Sequence, residues 1–325
     1  MHGKNALRAL LAGLALALGA TAASAAPYPE RPVRLIAPIA VGGLTDTLAR
    51  LVASGLADQL GQPVIVENKP GAGGIIGMEA AAQAAPDGYT LILVYQGVAA
   101  VNASLYKNLP YDTRRDFAPV ARLGNFPLVL VASPASGIRS VEALLERAGA
   151  QAKAPSYASA GNATTSHLTM ELFKNASGLQ ALHVPYKGEG PANTDVAGGQ
   201  VDIAFSSLAS VAPLVKSGRL VALGISTPER SAVLPDVPTI AQAGVAGFEA
   251  VGWYGLLAPA GTPADVVARL SDTVAAVLDQ PATRAKLQAL GVTARATPAA
   301  DFGRQIDAET EKWRAVIQTA GITLD

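Results

Sequence analysis

The chain contains no cysteine. This absence excludes disulfide bonds, a cysteine nucleophile, a thiolate metal site and a lipid-modified N-terminal cysteine. Histidine is nearly as scarce, with three in the whole chain, and neither His167 nor His183 stands at metal-ligand spacing from a carboxylate. We therefore expect no metal site and no cofactor.

Charged and aromatic side chains are also few, at 15% and 5% of the 325 residues, and the formal net charge is zero. Nucleic acids and anionic membrane surfaces attract strongly basic proteins, so this balance argues against either partner. Half of the residues are hydrophobic, which is ample for a buried core. A chain of this length usually divides into two domains.

A run of small apolar residues stands close to the N-terminus. Lys4 and Arg8 precede the run Ala9–Ala20, and Ala23-Ser-Ala25 matches a small-x-small cleavage sequence. This order is typical of a signal peptide, and the run is too short to span a bilayer as a helix. We predict that residues 1–25 are a signal peptide and that the mature protein lies in the periplasm; an uncleaved signal anchor is the alternative.

Three junctions between a β-prone run and an amphipathic helix are rich in glycine or hydroxyl side chains: Pro38–Asp46, Lys69–Gly74 and Ser156–His167. The first backbone N–H groups of a helix have no partner within the helix and lie at the positive end of its dipole, so they attract anions. An ordinary turn with Ser/Thr caps would account for one such junction. Three of them favour a single pocket that collects helix N-termini.

The order of the elements predicts parallel βαβ units. A first series of strands ends with Thr90–Tyr95, and a second α/β series begins at Ser156. Ligands of such sheets bind at the carboxyl ends of the strands, where all three junctions lie. We expect two α/β lobes, the second inserted into the first, with chain crossings near 126–132 and 248–256 as the hinge.

The motifs of nucleotide-binding and hydrolytic enzymes are incomplete. The segment Gly71–Ile76 departs from G-x-G-x-x-G because Ile76 replaces the last glycine. Ser159 lacks the first glycine of a nucleophile elbow, although His167, eight residues later, makes a Ser–His pair conceivable. We favour a binding protein, for which we expect no catalytic residue. The alternative is an exported serine hydrolase that uses Ser159 and His167.

A series of stretches, in order over nearly the whole mature chain, carries a family resemblance. They are Pro38–Asp46, Val66–Gly74, Ala85–Thr90, Leu109–Asp112 with Asp116-Phe117, Tyr157–Asn162 with Thr165–His167, His183–Gly188, Gly198–Asp202, Leu234–Thr239 and Leu257–Pro263. In these stretches the chain resembles the Bug/TctC family, the extracytoplasmic solute-binding receptors of tripartite tricarboxylate transporters. It departs from the family where Ile39–Val41 replaces a proline-rich run and where Phe205-Ser-Ser207 replaces Phe-Asp-Asn.

The resemblance implies an α/β, periplasmic-binding-protein-like type II fold, in which two doubly wound lobes joined by a two-crossing hinge close on a small carboxylate. We place lobe 1 at residues 26–127 plus 253–325 and lobe 2 at residues 128–252. The implied partners are the membrane transporter subunits, and we expect a monomer. A receptor that reports its ligand to a membrane sensor is a further alternative.

The candidate ligand-binding residues lie mainly in the three loops that the resemblance assigns to the ligand. They are Gly42, Gly43, Thr45, Asp46, Ala72, Gly73, Gln96, Ser159, Ala160, Gly161, Asn162, Thr164, His167 and Ser206.

The charge of the ligand follows from what these loops lack. None of them contains an arginine, and helix N-termini hold a carboxylate without one. A ligand ammonium group would need an ionised acceptor, and Ser206 stands where the family often has an aspartate. We therefore predict a small di- or hydroxycarboxylate without an amino group, unless Asp46 or Glu189 reaches the cleft and supplies the charge.

The signal peptide is tested by N-terminal sequencing of protein recovered from the periplasm. We expect the mature chain to begin at Ala26, because cleavage follows Ala25 in the small-x-small sequence. A mature chain that still begins near Met1 would contradict the prediction.

Overall fold

The computed structural model describes residues 28–42, 44–150, 154–162 and 164–322. The predicted signal peptide and the candidate site residue Gly43 lie outside the described residues. Within the described ranges, no helix combines the length and the apolar character needed to cross a membrane.

The strands and helices alternate along most of the chain. The strands are β1 (Val33–Ala37), β2 (Val64–Asn68), β3 (Thr90–Tyr95), β4 (Phe117–Ala132), β5 (Ser156–Ser159), β6 (Leu182–Pro185), β7 (Ile203–Ser207), β8 (Val221–Ile225), β9 (Val251–Pro259) and β10 (Thr293–Pro298). The helices are α1 (Leu44–Leu60), α2 (Ile75–Ala82), α3 (Asn102–Leu105), α4 (Thr113–Asp116), α5 (Val141–Ala150), α6 (Thr165–Ser177), α7 (Glu189–Ala197), α8 (Leu208–Lys216), α9 (Ala264–Asp279), α10 (Pro281–Ala289) and α11 (Ala299–Ala320).

The strands form a sheet in the order β2-β1-β3-β9-β4-β7-β5-β6, with β8 and β10 also paired to β4. The pairs β1–β2, β1–β3, β5–β6 and β5–β7 are parallel, as the βαβ spacing predicts. Strand β9 runs antiparallel to β3 and to β4. The two parallel groups therefore lie on either side of an antiparallel pair.

Strand β4 belongs to two sections of the sheet. Its residues 117–127 pair with β9, and its residues 128–132 pair with β7. Each section has its own core: one contains Trp253 and Phe302, and the other contains Val129 and Val211. The assignment of the two lobes to residues 26–127 plus 253–325 and 128–252 stays a prediction.

Two strand segments differ from the sequence-based expectation. The apolar run Leu128–Ala132 predicts a buried strand, whereas β4 begins at Phe117. Pro119 and Pro127 interrupt the strand pattern before that run. Register shifts between Pro119 and Ala121 and between Arg122 and Gly124 accommodate the irregular pairing with β9. Strand β10 was not expected because its residues are mostly exposed and carry no alternating apolar pattern.

Ser226 joins the two places where the chain passes between the sheet sections. Its hydroxyl donates to the Ala250 carbonyl oxygen at 2.5 Å and accepts the Leu128 N–H at 3.0 Å. Its own N–H donates to the Leu128 carbonyl oxygen, and its carbonyl oxygen accepts the Ala250 N–H, both at 2.9 Å. Because Ser226 is fully buried, no solvent can replace these bonds.

We expect Ser226→Ala to lower the free energy of unfolding by about 2 kcal/mol, because it leaves the buried Leu128 N–H and one Ala250 acceptor position unpaired. The measurement is urea denaturation followed by circular dichroism. The matched control is Ser104→Ala, since the buried Ser104 hydroxyl has no hydrogen-bond partner among the described residues. Equal effects of the two substitutions would show that the Ser226 hydrogen bonds do not contribute.

Candidate ligand-binding site

A cavity of about 220 Å³ opens where β4 passes from one sheet section to the other. Its wall combines apolar and aromatic side chains with hydroxyl groups and one carboxylate. The lining residues are Ile39, Thr45, Tyr95, Phe126, Leu128, Ala160, Thr164, Thr165, Ser166, Glu189, Ser207 and Tyr254. No lysine, arginine or histidine is among the described residues that line it.

Four helices begin at this cavity. Thr45 lies in the first turn of α1, Thr165 is the first residue of α6, Glu189 is the first residue of α7, and Ser207 directly precedes α8. The first N–H groups of each helix lack intrahelical partners, and the helix dipole is positive at this end. The arrangement stabilises a small anion without a cationic side chain.

Two tyrosine hydroxyls complete the polar wall. Tyr254 on β9 lies 3.2 Å from the Thr45 hydroxyl, measured between the two oxygens. Burial raises the pKa of Tyr95 to about 12 and that of Tyr254 to about 12. Both phenols therefore stay protonated at neutral pH, and that of Tyr95 donates to the Gly73 carbonyl oxygen.

The loop between β5 and α6 is held by its own polar groups. The Thr164 hydroxyl donates to the Gly161 carbonyl oxygen at 2.7 Å, and the Ala160 N–H donates to the Ser166 hydroxyl at 3.0 Å. Gly161 has a φ of +132°, and a Cβ there would lie 3.1 Å from the Tyr186 carbonyl oxygen. These constraints fix Ala160 and Thr164 at the cavity wall.

Asp46 organises the loop before α1 instead of lining the cavity. Its buried carboxylate accepts the Gly42 N–H at 3.0 Å, the Asn68 amide at 2.9 Å and the Arg50 Nε–H at 3.1 Å. These hydrogen bonds, that from Gly42 first, lower the pKa of Asp46 from 3.8 to about 2. The carboxylate therefore positions the segment that carries Thr45.

Three of the candidate residues, Thr45, Ala160 and Thr164, line the cavity. Gly42 and Gly161 belong to the loops that hold these three in place. Asn162 is exposed and does not line the cavity. Gly43 lies outside the described residues.

The second glycine-rich junction does not reach the cavity directly, so Ala72 and Gly73 are not lining residues. The Gly73 carbonyl oxygen instead accepts hydrogen bonds from the Tyr95 hydroxyl at 3.5 Å and from the Asn102 amide at 3.4 Å. This junction contributes by supporting Tyr95, which does line the cavity.

Gln96 was expected at the ligand but turns toward helix α11. Its side chain is buried, and Nε2 donates to the Glu309 carboxylate at 2.5 Å. The same carboxylate oxygen accepts the Trp313 indole N–H at 2.6 Å. Gln96 thus joins β3 to the C-terminal helix.

Ser159 and His167 do not form the pair that a hydrolase would need. The Ser159 hydroxyl lies 2.6 Å from Nε2 of His183, and the ring of His167 stacks on that of His183 with centroids 4.0 Å apart. Burial lowers the pKa of both imidazoles, that of His167 to about 4. None of the three side chains lines the cavity, and the Ser159 hydroxyl accepts the Gly161 N–H of the β5–α6 loop at 3.2 Å.

Ser206 is buried on the side of β7 away from the cavity. Its hydroxyl donates to the Asn193 amide oxygen on α7 at 2.6 Å, while the next residue, Ser207, lines the cavity. Successive strand residues point to opposite faces, so only one of the two can face the ligand. The expectation of a ligand without an amino group was based on Ser206 and loses that basis.

Several lining residues were not among the candidates: Ile39, Tyr95, Phe126, Leu128, Thr165, Ser166, Glu189, Ser207 and Tyr254. Three of them, Phe126, Leu128 and Tyr254, belong to the expected chain crossings. Both faces of these strands are buried, so the sequence pattern does not show which residues face the cavity. Glu189 had a usable signal, because it stands between the β-prone run His183–Tyr186 and a helix, as the other junctions do.

A second and larger cavity, of about 380 Å³, lies on the other face of β4. Asn125 and Pro127 line it, and they alternate with Phe126 and Leu128 of the smaller cavity. Its wall carries acidic and basic side chains that are exposed, among them Arg230. The helix N-termini converge on the smaller cavity, where we therefore place the site.

In the described part of the chain, no group of three or more His, Cys, Asp or Glu side chains is arranged to hold a metal ion.

The protein has an α/β fold with a mixed sheet, and a small cavity lies where the chain passes between the two sections of that sheet. This is the type II fold of periplasmic binding proteins. Proteins of this class are solute receptors. Residues 48–322 match the family model TctC, described as "Tripartite tricarboxylate transporter family receptor", and the chain belongs to this family.

Three similar proteins illustrate the relationship. Protein BugT of Bordetella pertussis is 38% identical over 312 residues, which cover 94% of this chain and 95% of BugT. The structure of R. palustris Rpa4515 with adipate has 35% identity and a TM-score of 0.81, and the match covers 91% of this chain and 100% of that one. The structure of MatC (Rpa3494) from Rhodopseudomonas palustris with bound malate has 34% identity and a TM-score of 0.77, covering 89% and 100%.

The contribution of Asp46 is testable through its pH dependence. The pKa of Asp46 in the folded protein lies below its ordinary value, so its stabilisation is present above about pH 4 and is lost as the pH falls toward 2. We expect Asp46→Asn to lower the melting temperature at pH 7 and the difference from the unsubstituted protein to shrink below pH 4.

The measurement is differential scanning calorimetry between pH 7 and pH 2. Asp58→Asn serves as the control, because Asp58 is exposed on the same helix and its substitution should change little. A melting-temperature difference for Asp46→Asn that does not vary with pH would mean that the carboxylate charge is not what holds the loop.

Proposed function

We propose that this protein is a periplasmic receptor that captures a small organic carboxylate in the 220 Å³ cavity and delivers it to a tripartite tricarboxylate-type membrane transporter. The observation that carries the proposal is the convergence of four helix N-termini and several hydroxyl groups on one cavity. Fixed N–H dipoles and neutral hydroxyls suit an anion that must later be released, because they stabilise it without forming an ion pair.

The similar proteins support a carboxylate as the ligand class. Rpa4515 is described with adipate and MatC with bound malate, and the chain covers nearly the full length of both. A cavity of about 220 Å³ accommodates molecules of this size. Delivery to a transporter is supported by the family to which the chain belongs.

We further propose that binding draws the two sheet sections together. The cavity wall receives Thr45 from the β1–α1 loop and Thr164 from the β5–α6 loop, which belong to different sections. A ligand that contacts both loops gains more hydrogen bonds when they approach each other, so it favours the closed arrangement.

The alternative function, a serine hydrolase, finds little support in the geometry. A nucleophile must reach its substrate, and Ser159 is 1% exposed and does not line the cavity. A receptor for a membrane sensor would use the same cavity, so uptake of labelled ligand by cells with and without the gene separates transport from sensing.

The carboxylate proposal is tested by calorimetry and thermal shift with mono-, di- and hydroxycarboxylates and amino acids. Ligands of the folded protein raise its melting temperature. We expect Thr45→Val to weaken binding of the best ligand about tenfold, because it removes one hydroxyl donor to a charged group without changing the shape of the side chain.

The matched control is Thr273→Val on α9, where the hydroxyl donates only to the Arg269 carbonyl oxygen within the helix and should not affect binding. Failure of every carboxylate and amino acid to bind the unsubstituted protein would refute the proposal. Equal affinities of the Thr45 and Thr273 variants would place the ligand elsewhere.

A further inference from the structure

Glu189 gives the cavity a feature that a receptor for simple anions does not need. It is the first residue of α7. Among the described residues that line the cavity, it is the only one with a charged side chain. An acidic side chain at a carboxylate site would repel its ligand unless the ligand meets it with another group.

The carboxylate of Glu189 is held in one position. Its Oε1 accepts the Ser207 N–H at 3.1 Å, and its Oε2 accepts the hydroxyls of Ser207 and Ser210, both at 2.6 Å. These donors lie at the start of α8. The side chain therefore occupies the helix N-terminus that a second carboxylate of the ligand could otherwise use.

The hydrogen bonds of Glu189 leave part of its capacity free. A carboxylate accepts about four hydrogen bonds, and the bonds from Ser207 and Ser210 use one position on Oε1 and two on Oε2. One position on Oε1 remains for a donor from the ligand. Glu189 forms no ion pair with any described residue, so its three partners are neutral. The N-terminus of α8 offsets part of its charge, and no described cation offsets the rest.

The charge of Glu189 acts on the cavity itself. The pKa of Tyr254 is raised to about 12, mainly by burial, and the nearby Glu189 carboxylate adds to this effect. Elsewhere on the wall, Thr45 and Thr165 bring the N-termini of α1 and α6 to the cavity. The cavity therefore offers two different environments, one suited to an anion and one suited to a cation.

We propose that Glu189 determines the specificity of the site, and that the ligand is a small zwitterion whose carboxylate binds at the N-termini of α1 and α6 and whose ammonium group binds Glu189. This inference rests on the proposed function as a carboxylate receptor. A bound ligand excludes water from Glu189, and an ionised group removed from water is stabilised best by an opposite charge. A hydroxyl donor would fill the free position on Oε1 but would add no opposite charge.

The test compares ligands that differ only in the group presented to Glu189. Isothermal titration calorimetry is carried out with α- and ω-amino acids of increasing length, each beside the hydroxy acid of the same skeleton and the dicarboxylate of the same length. We expect the best amino acid to bind at least about tenfold more tightly than its hydroxy acid and its dicarboxylate.

Glu189→Gln removes the charge and keeps the shape of the side chain. We expect it to weaken binding of the amino acid at least about tenfold and to strengthen binding of the matching dicarboxylate, so that the preference is lost or reversed. Glu189→Asp retains the charge and should retain the preference for the ammonium group. Glu142→Gln, at an exposed position in the first turn of α5, is the matched control and should bind like the unsubstituted protein.

The outcomes separate this inference from the proposed function. Tighter binding of dicarboxylates or hydroxy acids to the unsubstituted protein, with the same preference in Glu189→Gln, would overturn the role of Glu189 while leaving a carboxylate receptor. Absence of binding by all three classes would refute the receptor proposal. Melting curves of each variant establish that a loss of affinity is not a loss of folding.

Discussion

Parallel pairing of the strands is the constraint on which the site depends. Strands β1, β5, β6 and β7 each end at the edge of the sheet where the next helix must begin. Because parallel neighbours share their direction, the helices that follow them present their unpaired N–H groups to the same region. The cavity therefore receives four positive helix ends without any basic residue among those that line it in the described structure.

The antiparallel strands β4 and β9 set how the two parallel groups meet. Strand β4 pairs with β9 along one part and with β7 along the other, so the same backbone carries residues of both sections. Ser226 ties this strand to the segment that leads into β9. The position of the cavity thus depends on hydrogen bonds that no ligand touches.

The sequence predicts the junctions better than the individual contacts. The starts of α1 and α6 follow from glycine and hydroxyl residues after apolar runs, and the structure brings the candidates Thr45, Ala160 and Thr164 to one cavity. Which side chains of β7 point toward the cavity could not be predicted. Ser206 and Ser207 are both buried polar residues and show no alternation of apolar and polar side chains. Glu189 was named only as an exception to the predicted charge of the ligand, because a charged residue in a turn is usually solvated.

The absence of a basic residue among the described residues that line the cavity bears on how fast a ligand can be captured. A charged funnel accelerates the approach of an oppositely charged solute, and dissolved salt weakens that attraction. Here the stabilising groups are short-range N–H dipoles and hydroxyls inside a chain of zero formal net charge. Encounter should then proceed at the ordinary diffusive rate, without a long-range attraction that dissolved salt could weaken.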